Sequence, residues 1–310
     1  MKHDENYESS DVEDRRGESS GGRGFGGGGG LRLPTGRFGM GGLVVLIVLS
    51  VVFKTDLVSG VLGSGDGGAL APAEQAPAYE PAAGGTRAIG GAVTESASEK
   101  ASRHLAAFVL DDAQQVWAKV FEQSGQPYSK AKLVLFRGGV RSGCGDAESA
   151  MGPFYCPADR RVYIDLGFYD ELARRFKAPG DFAQAYVLTH EIGHHIQNLL
   201  GTEQKLRRMQ ASDPSQKNAL SVAMELQADC YAGVWAATTE QRKLLESGDV
   251  DEALGAASAV GDDRLQRQAT GGVHPESFTH GSSAQRASWF KRGMANGDMR
   301  ACDTFGGASR

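Results

Sequence analysis

The chain has 310 residues, a formal net charge of −5 at pH 7 and a sequence pI of about 5.8. This acidic balance argues against a general nucleic-acid binder, because such proteins present a basic surface. Apolar residues make up 40% of the chain, enough for a core, but the 43 glycines exceed average usage and are concentrated towards its front. The ordered part is therefore predicted to be shorter than the chain.

The front of the chain divides into three segments by composition. Residues 1–37 are polar and then glycine-rich, which predicts a disordered tail on the cytoplasmic side. Residues 38–58 open with an uncharged run, FGMGGLVVLIVLSVVF, which spans about 24 Å as a helix and predicts a single transmembrane signal anchor. Residues 59–97 are rich in Gly, Ala and Pro and are predicted to be a flexible linker.

The predicted orientation in the membrane follows from the basic residues that flank this span. Several arginines precede it, whereas Lys54 alone closely follows it. This asymmetry predicts a cytoplasmic N-terminus and an extracytoplasmic domain, so the expected location is the bacterial inner membrane, with the lipid bilayer as the partner of residues 38–58. A cleaved signal peptide is the alternative, but the cleavage-like Ala69–Ala71 lies far from the apolar run and Pro72 follows it.

Residues 98–310 carry globular patterns and are predicted to form one domain. Strands early and helices late predict an α+β fold that is mostly helical with a small sheet. A glycine-rich loop is expected over 138–152, between the two predicted strands. The strands are predicted at 131–138 and 161–166, and helices at 98–121 (capped by Ser98 or Ser102), 168–176, 181–201, 215–239, 240–248, 250–260 and 282–294.

The four cysteines all lie in the predicted domain, and their even number in an exported domain predicts two disulfides. Three pairings are possible. We favour Cys144–Cys156, which closes a short loop, and Cys230–Cys302, which ties the C-terminal tail to a helix. Four buried thiols are the alternative.

A metal-site pattern lies in the stretch YVLTHEIGHHIQNLLG, Tyr186 to Gly201. His190 and His194 are four residues apart, so on a helix their imidazoles share one face and can bind one ion. Glu191 completes the motif H-E-x-x-H, in which the histidines bind zinc and the carboxylate takes a proton from activated water. His195 points well away from this face and is predicted to be structural.

A third ligand is expected elsewhere, because catalytic zinc usually has three protein ligands and one open position. The longer motif with a third histidine does not continue after His194. The stretch MELQADCY offers Glu225 as the ligand and Asp229, four residues on, as the acceptor for the free ring N–H of a ligating histidine. The sequence thus predicts one Zn²⁺ ion held by His190, His194 and Glu225.

Taken together, the motifs resemble those of a known family. HEIGHH and ELQAD are similar to motifs of the gluzincin metallopeptidases. With SDVEDRR, GPFYCPADRRVYIDLGFYDEL, GDDRLQ, FTHGSSAQR and CDTF, the chain resembles the bacterial neutral zinc metallopeptidase family over nearly its whole length. The resemblance implies a zincin-like fold, zinc ligands at His190, His194 and Glu225, and Glu191 as the catalytic base.

A peptidase also needs a hydrogen-bond donor near the substrate carbonyl oxygen, which becomes an oxyanion. We retain His280, in FTHGSSAQR, as the catalytic candidate for this role, with Tyr155, Tyr163 and Tyr231 as further possibilities. The alternatives are that His280 is a turn residue bonded to backbone, and that Arg286 is a helix-surface or buried-pair residue.

The predicted function is that of a membrane-anchored zinc metallopeptidase, a hydrolase that cleaves a protein or peptide with Glu191 as general base. A non-catalytic, zinc-stabilised binding or assembly module at the membrane is the alternative. The two differ at the fourth zinc position, which is open in an enzyme and filled by a side chain in a structural site. Glu191 favours the enzyme, since a structural site has no need of it.

Overall fold

The computed structural model describes residues 1–18 and 93–306, which form a mostly helical α+β fold with two small sheets. The strands are β1 (Val12–Asp14), β2 (Lys132–Phe136), β3 (Gly139–Ser142), β4 (Gly145–Glu148), β5 (Phe154–Cys156) and β6 (Arg161–Asp165). The helices are α1 (Ala97–Gln123), α2 (Gly167–Arg174), α3 (Asp181–Leu199), α4 (Thr202–Ser212), α5 (Lys217–Gln241), α6 (Asp249–Ala259), α7 (Asp262–Thr270) and α8 (Ser283–Asn296).

The larger sheet has the strand order β1-β2-β6-β5. β2 is parallel to both β1 and β6, and its continuous apolar run is buried, as is typical of a central parallel strand. β5 is antiparallel to β6 and forms one edge. β3 and β4 form a separate hairpin within 138–152, so the prediction of a loop there is wrong. Its glycines and polar residues hide the alternation that signals a strand.

Glycines allow the three central helices to pack backbone against backbone. A Cβ at Gly193 of α3 would lie 2.9 Å from the Cα of Ala228 in α5. Where α5 crosses α8, a Cβ at Gly233 would lie 2.1 Å from the carbonyl oxygen of Phe290, and one at Gly293 would lie 2.0 Å from a backbone oxygen of α5. A side chain at any of these positions would separate the helices.

The core and two disulfides hold this arrangement together. Phe182 of α3 stacks on Trp235 of α5 with ring centroids 5.6 Å apart, and Trp117 of α1 meets Tyr231 edge-on at 5.2 Å. Both cysteine pairs follow the favoured pairing, with S–S distances of 2.07 Å for Cys144–Cys156 and 2.00 Å for Cys230–Cys302. The first ties the β3–β4 turn to β5, and the second ties the C-terminal tail to α5.

The first eighteen residues are packed on the domain. β1 pairs with β2 along its three residues. Arg16 is buried, and its guanidinium lies 2.6 Å from the Asp14 carboxylate and 2.8 Å from that of Glu95. The Nδ1 atom of His104 lies 2.8 Å from the carbonyl oxygen of Tyr7. These contacts join the segment to β2 and α1.

The prediction of a disordered tail over 1–37 is therefore wrong for residues 1–18. The rest of that tail, the predicted span over 38–58 and the linker up to residue 92 lie outside the described residues. Residues 93–97 were predicted to be part of the linker. They belong to the domain, since Glu95 pairs with Arg16 and α1 begins at Ala97.

The predicted membrane topology is also wrong. In residues 1–18 and 93–306, no helix is long and apolar enough to cross a membrane. A single crossing at 38–58 would place β1 and the domain on opposite sides, whereas β1 is hydrogen-bonded to β2. The fold class of the described residues is accordingly corrected to a mostly helical α+β domain with small sheets. The inner-membrane location with a cytoplasmic N-terminus is corrected for the same reason, while the bilayer as a partner concerns residues 38–58, which lie outside the described residues.

Some helix boundaries differ from the predictions because capping hydrogen bonds, rather than the apolar periodicity, determine where the helix begins or ends. α1 is capped by Ser96, not by Ser98 or Ser102, because Ser96 and Glu99 bond to each other's backbone N–H groups in a capping box. The helix predicted over 240–248 is absent from this part of the structure, since α5 ends at Gln241 and a turn follows. The polar helices α4 and α7 carry no strong apolar stripe and were not predicted.

Candidate metal centre

Helices α3 and α5 bring three donor groups together. The Nε2 atom of His190 lies 3.3 Å from Oε2 of Glu225, and the Nε2 atom of His194 lies 3.6 Å from Oε1 of the same carboxylate. One ligand atom from each residue falls within 4.8 Å of the other two. The four-residue spacing places the two imidazoles side by side, and the close approach at Gly193 lets Glu225 reach both.

Hydrogen bonds fix the tautomers of both histidines. His190 donates from Nδ1 to Oδ1 of Asp229 at 2.9 Å, and His194 donates from Nδ1 to Oε1 of Gln197 at 2.9 Å. The Gln197 amide nitrogen donates to the carbonyl oxygen of Met224 at 2.7 Å, which leaves the amide oxygen for His194. The Nε2 atoms are therefore the ring atoms left to bind a metal, which displaces any proton that they carry.

A buried arginine holds Asp229 in place. Arg286 of α8 is 4% exposed, and its Nε and Nη2 atoms donate to the two Asp229 oxygens at 2.9 Å each. The Tyr186 hydroxyl donates to the same carboxylate at 2.5 Å. Arg286 thus belongs to a buried ion pair, which is one of the two roles considered for it in the sequence. Its charge compensates the fully buried Asp229 carboxylate.

The three donors line a cleft of about 560 Å³. Glu191 lies beside them and is buried except for its cleft-facing part. Apolar side chains form the walls, among them Phe154, Phe168, Leu206 and Met224. The cleft is therefore large enough for a short segment of polypeptide, and carboxylate and imidazole groups line it.

The chain matches the model of a family described as "Putative neutral zinc metallopeptidase" over residues 1–305. The chain belongs to this family. It is 48% identical to "Uncharacterized protein YpfJ" of Escherichia coli (strain K12) over 302 residues, 96% of each chain. It is 47% identical to "Uncharacterized protein Mb2605" of Mycobacterium bovis over 192 residues, 58% of this chain and 64% of that protein. No solved structure matches the chain significantly.

Zinc, the metal that the zinc-peptidase family implies, fits the three donors. Ligands of a tetrahedral zinc ion with bonds of about 2.0–2.1 Å are about 3.3 Å apart. The two separations between imidazole nitrogen and carboxylate oxygen, 3.3 and 3.6 Å, match that spacing. Two imidazoles and one carboxylate are also a donor set typical of catalytic zinc.

The negative charges of Glu225 and Asp229 favour a cation at this centre. Burial raises the pKa of Glu225, but the charge of His194 and a hydrogen bond from His190 lower it well below its ordinary value. Burial lowers the pKa of His190, but the charge of Asp229 and the hydrogen bonds to Asp229 and Glu225 together raise it to about 9. The partly buried Glu225 carboxylate and the fully buried Asp229 carboxylate thus place negative charge on both sides of the His190 ring.

His280 lies on the cleft, and Asp262 holds both its ring and its backbone. Its Nδ1 atom is 3.2 Å from Oδ1 of Asp262, and its backbone N–H donates to Oδ2 at 2.7 Å. Burial lowers the pKa of His280, but the hydrogen bond to Asp262 and the charge of Glu225 raise it above its ordinary value. The backbone of His280 is therefore held in a turn, as the alternative interpretation expects, whereas its ring lines the cleft.

The three tyrosines considered as donors do not offer a free hydroxyl to the cleft. Tyr155 lines the cleft, but its hydroxyl is bonded to two residues of α3. The hydroxyl of Tyr163 donates to Oδ2 of Asp159 at 2.6 Å. Tyr231 is buried in the core against α1.

A second group of acids, Asp181, Asp249 and Glu252, also has oxygens close enough to hold a metal ion. The ammonium group of Met1 lies 2.5 Å from Asp181 and 3.4 Å from Asp249. One cation among the described residues thus already lies against two of these three acids.

Sequence reasoning missed several residues of the centre. Gln197 is three residues after His194, which is a helical contact distance, so its role could have been read from spacing. Asp262 reaches the loop residue His280, and Arg286 reaches Asp229 of another helix 57 residues away; no local pattern identifies either pairing.

Proposed function

We propose that this protein is a zinc-dependent peptidase with one Zn²⁺ ion held by His190, His194 and Glu225 and with Glu191 as general base. The observation that carries the proposal is that the Nε2 atoms of His190 and His194 lie 3.3 and 3.6 Å from the Glu225 carboxylate in a cleft that Glu191 also lines. When bound, zinc supplies positive charge that polarises a substrate carbonyl and lowers the pKa of water at the site.

The protein's own groups then orient the ligands and move the proton. Asp229 and Gln197 keep a proton on each Nδ1 atom, so that the Nε2 atoms face the ion. Glu191 accepts a proton from the attacking water on its carboxylate and passes it to the amine that leaves. Its position next to His190 in α3 places the carboxylate at the base of the cleft.

His280 is proposed as the donor to the carbonyl oxygen as charge develops on it. The Asp262 carboxylate accepts from the His280 backbone N–H and lies 3.2 Å from Nδ1, so it stabilises the doubly protonated ring, in which Nε2 carries the proton that it donates. A charged donor in a partly buried cleft stabilises an oxyanion more than a neutral one does.

An extended peptide is the proposed substrate class. Among the described strands, β5 pairs with β6 on one side, and its residues line the cleft. An unpaired strand edge can bind an extended backbone as an additional strand. The apolar walls suit uncharged side chains of such a peptide.

The alternative, a zinc-stabilised module without turnover, needs a fourth protein ligand. Within the described residues the group contains three donors, and Asp229 is engaged by the Nδ1 of His190 and by Arg286. The three donors line a cleft and no fourth donor joins them in the part of the chain that the structure describes, which favours catalysis.

The test compares Glu191→Gln with Glu203→Gln, a matched change of another cleft-lining carboxylate. We expect Glu191→Gln to retain one zinc per chain by metal analysis and to lose hydrolysis of labelled casein by about 10²- to 10⁴-fold. Glu203→Gln should keep both zinc and most of the activity. Cleavage by Glu191→Gln at the parent rate would show that Glu191 is not the base.

A further inference from the structure

His195, which follows the second candidate ligand, is fully buried and has both ring nitrogens bonded. Its Nε2 atom lies 2.6 Å from the carbonyl oxygen of Ser129, and its Nδ1 atom lies 3.0 Å from the hydroxyl of Tyr155. Because a carbonyl oxygen only accepts, Nε2 carries the proton and Nδ1 accepts from Tyr155. Asn198 in turn donates to the Tyr155 hydroxyl at 2.9 Å.

These bonds connect the cleft wall to the metal-centre helix. Tyr155 is the central residue of β5, the edge strand, and His195 and Asn198 lie on α3 just after His194. The hydroxyl donates to one α3 residue and accepts from another, so its direction is fixed. Next to it, Cys156 is bonded to Cys144, which restrains the end of the same strand.

We propose that His195 and Asn198 are positioning residues that act through Tyr155. They set the height and tilt of β5 relative to Glu191 and the zinc ligands, so that a peptide paired with β5 presents its scissile carbonyl to the base. This inference rests on the proposed function. It assigns a role to the extra histidine of HEIGHH, which lies off the ligand face of α3.

Tyr155 contacts His195 both through its hydroxyl and through its ring, whose centroid lies 5.4 Å from that of His195, so the test must separate hydrogen bonding from ring packing. Tyr128 also meets the His195 ring edge-on, with centroids 5.9 Å apart, but its buried hydroxyl has no hydrogen-bond partner among the described residues. Tyr155→Phe therefore removes a hydroxyl that links β5 to α3. Tyr128→Phe removes one that makes no such link, and it is the matched control.

The experiment uses the zinc-loaded full chain and two probes. Acetohydroxamate contacts the metal alone, whereas a tripeptide hydroxamate with apolar side chains also needs the strand edge. We expect Tyr155→Phe to weaken binding of the tripeptide hydroxamate by about 10- to 100-fold, since displacement by about 1 Å has effects of this order. Binding of acetohydroxamate and of zinc should be unchanged, and Tyr128→Phe should match the parent throughout.

Kinetics with a fluorogenic peptide separate positioning from general stability. Tyr155→Phe and His195→Ala should raise KM more than they lower kcat, and His195→Asn, which keeps an acceptor for the tyrosine hydroxyl, should recover part of the loss. Equal weakening of both hydroxamates, or a lower melting temperature with an unchanged ratio of the two affinities, would overturn the inference. A parent protein that binds neither zinc nor acetohydroxamate would instead remove the proposed function, and this inference with it.

Discussion

The metal centre and the N-terminal segment show two different relations between sequence and structure. In the centre, four-residue spacings on α3 and α5 place His190, His194 and Glu225 together, and the spacing alone predicts which side chains share a face. The segment 1–18 is polar and without periodicity, yet it contributes β1 to the sheet. Its order depends on partners that follow about a hundred residues later in the chain. Local patterns therefore identify chemistry more readily than they identify long-range pairing.

The largest expected effect is the loss of zinc affinity when Glu225 is removed from the centre. Glu225→Ala should weaken zinc binding by more than about 100-fold, because loss of even an outer partner costs about 10- to 100-fold. Isothermal titration of the metal-free protein measures this. Glu203→Ala, on the same cleft, should bind zinc as the parent does, and a matching loss in both variants would mean that the effect is not specific to the centre.

A smaller effect is expected from the contact between the two helices. Gly193→Ala places a methyl group 2.9 Å from the Ala228 Cα atom, so α3 and α5 must separate. We expect a loss of about 1–3 kcal/mol in the free energy of unfolding. Chemical denaturation with Gly255→Ala as the control checks this, since a Cβ at Gly255 in α6 meets no atom within 4 Å. Equal stability of the two variants would contradict close packing at Gly193.

The sequence was sufficient for the parts of the fold in which side chains repeat with a regular period. It predicted β2, β6 and the long helices, and the spacing of Glu225 and Asp229 indicated which groups face α3. It failed for the β3–β4 hairpin, whose glycines carry no apolar alternation. It named Arg286 as a possible buried-pair residue but did not identify its partner Asp229, which lies on α5 where Gly233 and Gly293 let α5 and α8 touch. It failed for the membrane topology because a long apolar run is a local signal, whereas the pairing of β1 with β2 is not.

The N-terminal segment can be perturbed without touching the centre. Arg16→Gln leaves the carboxylates of Asp14 and Glu95 without their shared cation, and we expect a loss of about 1–2 kcal/mol, since the pair is only partly buried. Hydrogen exchange of residues 12–14 should become faster while zinc affinity stays at the parent value. Arg15→Gln, whose partner Glu18 is exposed, is the control. Unchanged exchange in Arg16→Gln would show that these ion pairs do not hold the segment.

The smallest expected effect is a dependence of this segment on pH. Burial raises the pKa of Asp14 and of Glu95, but hydrogen bonds from Arg16 lower both below their ordinary values of 3.8 and 4.5. Carboxyl groups of this kind stabilise the folded state above their unfolded pKa values, and the contribution is lost as pH falls through the lowered values. Protection of residues 12–14 should therefore be constant from pH 6 to 8 and decline below about pH 4.5. In Arg16→Gln this decline should be smaller, and an equal decline would assign it to other groups.

Anomalous diffraction at the zinc edge from crystals of the zinc-loaded protein tests the central claim most directly. We predict one strong peak within about 2.0–2.2 Å of Nε2 of His190, Nε2 of His194 and a carboxylate oxygen of Glu225. A peak at Asp181, Asp249 and Glu252 instead, or Glu225 turned away from the two imidazoles, would contradict the assignment of the metal centre.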